Sequence, residues 1–208
     1  MTFDRPVFFK AVRGSLFGGR LQAKQVAGLT AILDRWERGN PRADHRYLAY
    51  MLATAHHETG RTMQPVRETF AADDEEAIRR LDRALSAGKL PSVSVPYWRR
   101  DGEGKSWLGR GLVQLTHRAN YARMAQMTGI DLLSEPQRAI EMEVAVEILF
   151  CGMETGAFTG KRLADYFTAA KSDWTGARRI INGRDRAALV ADYGRLYLGA
   201  INRAAGGG

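Results

Sequence analysis

The stretch DHRYLAYMLATAHHETG, residues 44–60, decides the fold. Leu48, Met51, Leu52 and Ala55 recur at helical spacing, Asp44 stands where an N-cap belongs, and Gly60 stands where a helix stops. The spacing predicts a helix with one apolar stripe turned to a core. Glu58 falls beside that stripe in the last turn. Partial burial and the negative end of the helix dipole both disfavour a charged carboxylate, and a carboxyl kept protonated near neutrality suits a general acid. Taken alone, a glutamate finishing a helix is ordinarily a surface residue.

Outward from this stretch the same periodicity continues. Val26, Leu29, Ile32, Leu33 and Trp36 form a stripe over residues 22–38, which Gly39-Asn40-Pro41 ends. Residues 61–72 read as loop. Asp73-Asp74-Glu75-Glu76 then opens a helix that closes near Gly88, with acids at the favourable dipole end. Residues 89–110 hold Pro91, Pro96, Gly102, Gly104 and Gly109, and an irregular stretch of that length inside a domain is usually functional. A short strand is expected over 111–116. Helices follow at about 118–128, 135–155, 160–171, 173–181 and 184–203, with 204–208 a disordered tail. The 208 residues fit one domain or two tightly packed lobes, with no repeat or linker.

The net charge of +8 calls for an anionic partner or surface. Of 31 basic residues 25 are arginine, and they are spread along the chain, so they do not single out nucleic acid and none is expected as a partner. The single cysteine, Cys151, excludes an internal disulfide and sits in an apolar run that suits a small buried hydrophobe. No run approaches the ~18 apolar residues of a membrane span, and with charge early at the N-terminus no cleavable signal peptide is expected. His56 and His57 are adjacent and so point about 100° apart on a helix; with His45 and His117 they make no metal-ligand spacing. No metal and no cofactor is expected.

A second acid, Glu68, lies in a loop with Arg61 and Arg67 near in sequence. Cationic neighbours and solvent keep a carboxylate ionised, as a base that activates water requires. Asp73, Asp74, Asp101 and Glu103 are rival bases at this stage. Over residues 111–116, strand alternation buries Val113 and Leu115 and presents Gln114 and Thr116 to a cleft. Gly109 and Gly111 allow close approach of backbone. Thr116 is placed to hold a water, and Asn120 and Tyr121 to bind hydroxyl or acetamide groups.

His57-Glu58-Thr59, the run Gly109-Arg110-Gly111-Leu112-Val113-Gln114-Leu115-Thr116, Asn120-Tyr121 and Ile180-Ile181-Asn182-Gly183 together resemble family 19 glycoside hydrolases in order and spacing. The likeness is nearest to the small phage endolysins of that family, with class I chitinases more distant, and it covers residues 22–203. The resemblance implies a mainly α, lysozyme-like bilobal helical fold with a short β-hairpin beside the cleft. It implies inverting hydrolysis of β-1,4-linked N-acetylated amino sugars, with Glu58 as acid, Glu68 as base and Thr116 positioning water. It further implies Gln114, Asn120 and Asn182 as substrate-binding positions, to which the reading of the residues adds Tyr121, His57 and Arg110 as candidates. The expectation is therefore a monomeric enzyme that acts on a polysaccharide, peptidoglycan first and chitin as the alternative. Such an enzyme would be cytoplasmic on synthesis and reach the wall through another agent, without stable membrane insertion. A non-catalytic wall-binding protein is the further alternative.

Overall fold

The structure, a computed structural model, describes residues 3–39 and 44–206. Among these residues the fold is mainly helical, with seven α-helices and two small two-stranded antiparallel sheets. The first helix, α1 (Arg5–Ser15), was not foreseen from the sequence. Its signal is nonetheless local: the Asp4 carboxylate accepts from Val7 N at 3.0 Å, and Pro6 sits in the first turn, where its missing N–H leaves no bond unmade. Phe8 and Val12 are buried, and Asp4 N donates to Ala204 O at 3.0 Å, tying the chain's start to its end.

α2 (Ala23–Gly39) follows the predicted stripe, burying Leu29, Ile32, Leu33 and Trp36; Asn40 and Pro41, the expected stop, lie outside the described residues. α3 (His45–Glu58) differs from the expected one-sided helix, because every residue from Leu48 to His56 is buried. A helix apolar all round belongs inside a core. It is enclosed by α2, by α6 (Met142–Thr155) and above all by α7 (Ala187–Ala205). Gly194 on α7 leaves room for the Trp174 ring, from which a Cβ there would stand 2.7 Å, while its 3.5 Å to Tyr50 of α3 is ordinary contact.

α4 (Asp74–Ser86) starts at Asp73, whose carboxylate accepts from Glu76 N at 2.7 Å. Its Ala77 and Leu81 form a second hydrophobic cluster with Ala71, Trp98 and Leu108, separate from the large cluster around α3. The chain thus carries two cores, one of them local to residues 71–108. β1 (Val66–Arg67) pairs antiparallel with β2 (Arg110–Gly111), and this ladder lies at the edge of that smaller core.

Several boundaries moved. The expected strand over 111–116 is a turn: β2 ends at Gly111, Arg110 and Leu115 exchange backbone bonds of 3.2 and 2.8 Å, and Gln114 takes a left-handed φ of 53°. Leu112 is buried with Val113 and Leu115, so no alternation survives. α5 (Arg118–Thr128) matches the reading, whereas the helix expected over 135–155 is a 3₁₀ turn, Pro136–Ile140, followed by α6. The helix expected over 160–171 is replaced by a 3₁₀ turn at Leu163–Asp165 and a hairpin of β3 (Phe167–Thr168) and β4 (Lys171–Ser172). Arg46 holds that hairpin to the start of α3, donating to Thr168 O at 2.9 Å and Lys171 O at 3.0 Å. The helix over 173–181 shortens to a 3₁₀ turn at Gly176–Ile180. α7 begins at Ala187 and continues to Ala205, with Ala204 buried, so the tail expected from residue 204 is helical for two residues; residues 207 and 208 are not described. Cys151 is half-buried on α6, and burial pushes its thiol up.

His56 lies wholly inside, its Nδ1 3.0 Å from the Tyr197 hydroxyl, with Phe17 and Tyr193 rings against it. Burial first, then the Arg61 and His57 charges, push its imidazole down to about 4. Between that value and the unfolded value near 6.5 the unfolded chain binds the extra proton, so stability is full above pH 6.5 and falls as pH drops toward 4. Urea midpoints should decline by about 3 kcal/mol equivalent across that window, and His56→Phe should flatten this decline. Two glycines make a contrasting pair. Gly28→Ala places a Cβ 1.8 Å from Met63 O and should cost about 1–3 kcal/mol in urea unfolding. Gly14→Ala, with nothing within 4 Å in α1, should gain about 0.4–1 kcal/mol.

Candidate active site

The end of α3 is built by Thr59. Its buried hydroxyl donates to Ala55 O at 2.7 Å and accepts from Met63 N at 3.0 Å, so the chain turns back at once through Gly60, whose φ is 56°. Glu58 is left at the turn with its side chain 16 % exposed. One carboxylate oxygen accepts from Arg178 Nη1 at 2.5 Å, and Arg178, 3 % exposed, also donates from Nε to Asp185 O at 3.0 Å. His57 is half-buried next to this pair; burial pushes its imidazole down, against the opposing pull of the Glu58 charge.

From Thr59 the loop runs along α2 to the second acid. Gln25 Nε2 donates to Arg61 O at 3.0 Å, Gln64 Nε2 to Lys24 O at 2.5 Å, and Met63 O fills the notch at Gly28. β1 then delivers Glu68 beside β2. Glu68 N donates to Gly109 O at 2.7 Å and Gly109 N donates back to the Glu68 carboxylate at 2.8 Å. The other carboxylate oxygen accepts from the Tyr97 hydroxyl at 2.6 Å. Burial and this bond to Glu68 push the Tyr97 phenol well up, so it is a donor at all ordinary pH.

Gly109 is the point of convergence. A Cβ there would meet Gln114 Oε1 at 2.6 Å, Thr116 Cγ2 at 3.0 Å and Glu68 Oε2 at 3.3 Å. Only glycine leaves that space open, and Gln114 is itself braced by Nε2 donating to Val66 O at 3.0 Å. Gln114, Thr116 and Asn120 line a cavity of about 80 Å³ with Phe158 and Ile181. Asn120 donates from Nδ2 to Thr116 O at 2.9 Å, fixing the loop that carries Thr116. Arg178 and Ile181 belong to one turn. At about 2 Å rise per residue they stand roughly 6 Å apart along it, so the Glu58 end and the Thr116 pocket flank the same short segment. Asn182 follows on this segment, exposed, with its side-chain oxygen accepting from Gly183 N at 2.8 Å.

A scan of family models and a search of curated proteins find no match to this chain.

The rival bases are all engaged elsewhere. Asp73 caps α4, Asp74 pairs with Arg67 and Arg110, Asp101 accepts from Trp107 Nε1 and from two backbone amides, and Glu103 pairs with Lys105. Among the described residues no cluster of three His, Cys, Asp or Glu side chains is arranged to hold a metal. A groove of about 660 Å³ between α2 and α6 is lined by Asp34, Arg38 and Met142 among others and includes none of the candidate residues. Chemistry rather than volume therefore marks the candidate site.

Two of the expected substrate contacts are corrected. Arg110 is 1 % exposed; its guanidinium donates to Ser106 O at 3.0 Å, to the Tyr121 hydroxyl at 2.8 Å and to the Asp74 carboxylate at 2.5 Å. Tyr121 is fully buried, donates to Leu108 O at 2.8 Å, and burial pushes its phenol up to about 12. Both hold the strand that presents Gly109 and neither reaches solvent, since the two terminal nitrogens of Arg110 and the Tyr121 hydroxyl donate to partners inside. Conversely, Arg178 and Tyr97 contact the two acids and were not foreseen. Arg178 precedes Ile180-Ile181-Asn182 by two residues, and Tyr97 lies in the irregular 89–110 stretch, but nothing local to either says which carboxylate it meets.

Arg110→Met should lower stability by about 1–3 kcal/mol in urea unfolding, since Ser106 O, the Tyr121 hydroxyl and one Asp74 oxygen lose their buried donor while Asp74 keeps Arg67.

Proposed function

We propose that the chain is a glycoside hydrolase that cleaves β-1,4 bonds of bacterial peptidoglycan with inversion. The observation that carries this reading is the pairing of two differently held acids. Glu68 is oriented by Tyr97 and Gly109 N within reach of Gln114 and Thr116, and Glu58 stands across the Gly176–Ile180 turn on Arg178. In the proposed step Glu58 protonates the glycosidic oxygen while Glu68 removes a proton from a water held by the Thr116 hydroxyl on the opposite face. Two donors fix the plane of the Glu68 carboxylate and leave other lone pairs for that water. Inversion requires roughly 6.5–9.5 Å between the carboxyls. Arg178 supports the same step as the cation against which negative charge develops on Glu58 as its proton leaves. The net charge of +8 favours adhesion to phosphate- and carboxylate-rich envelopes, and no described helix is long and apolar enough to cross a membrane.

The Glu58–Arg178 ion pair also favours a second reading, a wall-binding protein in which that pair serves only stability. Murein sacculi and chitin oligomers offered in parallel separate the possibilities. Hydrolysis of sacculi supports the proposal, release from chitin alone assigns a chitinase, and tight sacculus binding without hydrolysis assigns the binder. Glu58→Gln and Glu68→Gln should each lower the rate about 10²–10⁴-fold. Thr116→Val should lower it about 10²-fold. Folded variants with unaltered rates would remove these residues from the chemistry. The anomeric form of the first product, read by NMR, tests inversion.

A further inference from the structure

Phe70 is held out of a core that begins one residue later. Ala71 belongs to the small hydrophobic cluster with Leu81 and Trp98, yet Phe70 is 58 % exposed. Two consecutive non-glycine residues in the left-handed region achieve this, Thr69 at φ 61° and Phe70 at φ 55°, a conformation that L side chains adopt only at a cost. Arg80 Nη1 fastens the turn by donating to Thr69 O at 2.8 Å. The ring then lies against the other acid's segment: a Cβ on Gly60 would stand 3.3 Å from its Cε1 and 3.4 Å from its Cζ. Gly60 is two residues past Glu58 and Phe70 is two residues past Glu68, so the ring occupies the interval between the segments that carry the two carboxylates. Single exposed apolar residues are common on any surface. One held there by backbone strain, at a candidate site and beside an available core, calls for a ligand.

We propose that Phe70 is a stacking platform for the apolar face of an N-acetylated amino sugar, forming a subsite next to the two acids. A β-1,4-linked pyranose turns its ring substituents outward and presents C–H groups on its faces, which pack on an aromatic ring and lose water. The polar rim required by the hydroxyl and acetamide groups is supplied by the neighbouring segments, in which Glu58, Arg61 and Glu68 are all at least partly exposed. The ligand class rests on the glycosidase reading, while the platform itself rests on the ring's position and strain.

The test uses the full chain with Glu58→Gln, titrated calorimetrically with the N-acetylglucosamine hexasaccharide and with peptide-free peptidoglycan glycan strands. Adding Phe70→Ala should weaken binding of at least one of them about tenfold, the value expected for one covered sugar face, and Phe70→Trp should restore it. In the otherwise native chain Phe70→Ala should raise KM by a similar factor with kcat unchanged, as loss of uniform binding does. Urea midpoints should not move, because the ring is exposed. Equal affinity and KM for the Ala variant, failure of Trp to restore them, or no binding of either saccharide by the parent overturns the platform. Phe70-dependent binding in a native chain that hydrolyses neither polymer upholds the platform and overturns the glycosidase reading, so the two failures are distinct.

Discussion

A buried guanidinium has five donors and no way to lose its charge, so wherever Arg178 sits the chain must bring acceptors to it. Those acceptors are the Glu58 carboxylate at the end of α3 and the carbonyl of Asp185 just before α7. One side chain thereby joins the most deeply buried helix of the molecule to the segment 176–182, whose far side meets the Thr116 pocket. The relative position of Glu58 and the loop carrying Glu68, Gln114 and Thr116 depends on this joint, and the identical contact holds the carboxylate of the candidate acid. Stability and site geometry are here the same interaction.

Around that joint the site is assembled by close backbone approach. Gly28 admits the Met63 carbonyl, Gly109 admits three side chains, and Gly194 admits the Trp174 ring. Each removes a volume that a methyl group would claim, so loop 60–70, β2 and α7 settle where the packing of α2 and α3 directs them. Arg110 complements this from below. By saturating carbonyls of residues 106 and 108 and the Asp74 carboxylate, it ties the irregular stretch to the small core and sets the height at which Gly109 N meets Glu68.

Legibility from the sequence followed the range of the forces involved. α2, α3, α4 and α5 were legible because stripes, caps and stop signals act within a few residues: Asp44 and Asp73 mark starts found nearly where they were expected, and α5 spans the expected 118–128. The region 160–181 was misread as helix, since its apolar residues serve two walls of the core at once and a hairpin clamped by Arg46 overrides the helical period. Of the candidate residues, Gln114, Thr116 and Asn120 line one cavity, Glu68 meets Gln114 and Thr116 at Gly109, and Glu58 lies on Arg178 of the neighbouring turn, whereas Arg110 and Tyr121 face inward. That inward turn was illegible because Arg110's charge partner, Asp74, lies 36 positions away.

The chain by itself determined a mainly helical body, a helix delivering Glu58 at its end, an irregular second half to the site and glycines at its tightest point. These follow from periodicity, capping and steric freedom, all properties of neighbours in sequence. Only the tertiary structure decided that α3 is enclosed on every side, that Arg178 and Tyr97 are the groups that hold the two acids, and that Arg110 supports rather than binds. Hydrogen bonds and ion pairs between distant segments have no local signature, because their geometry exists only after the cores have closed and brought the partners within about 3 Å.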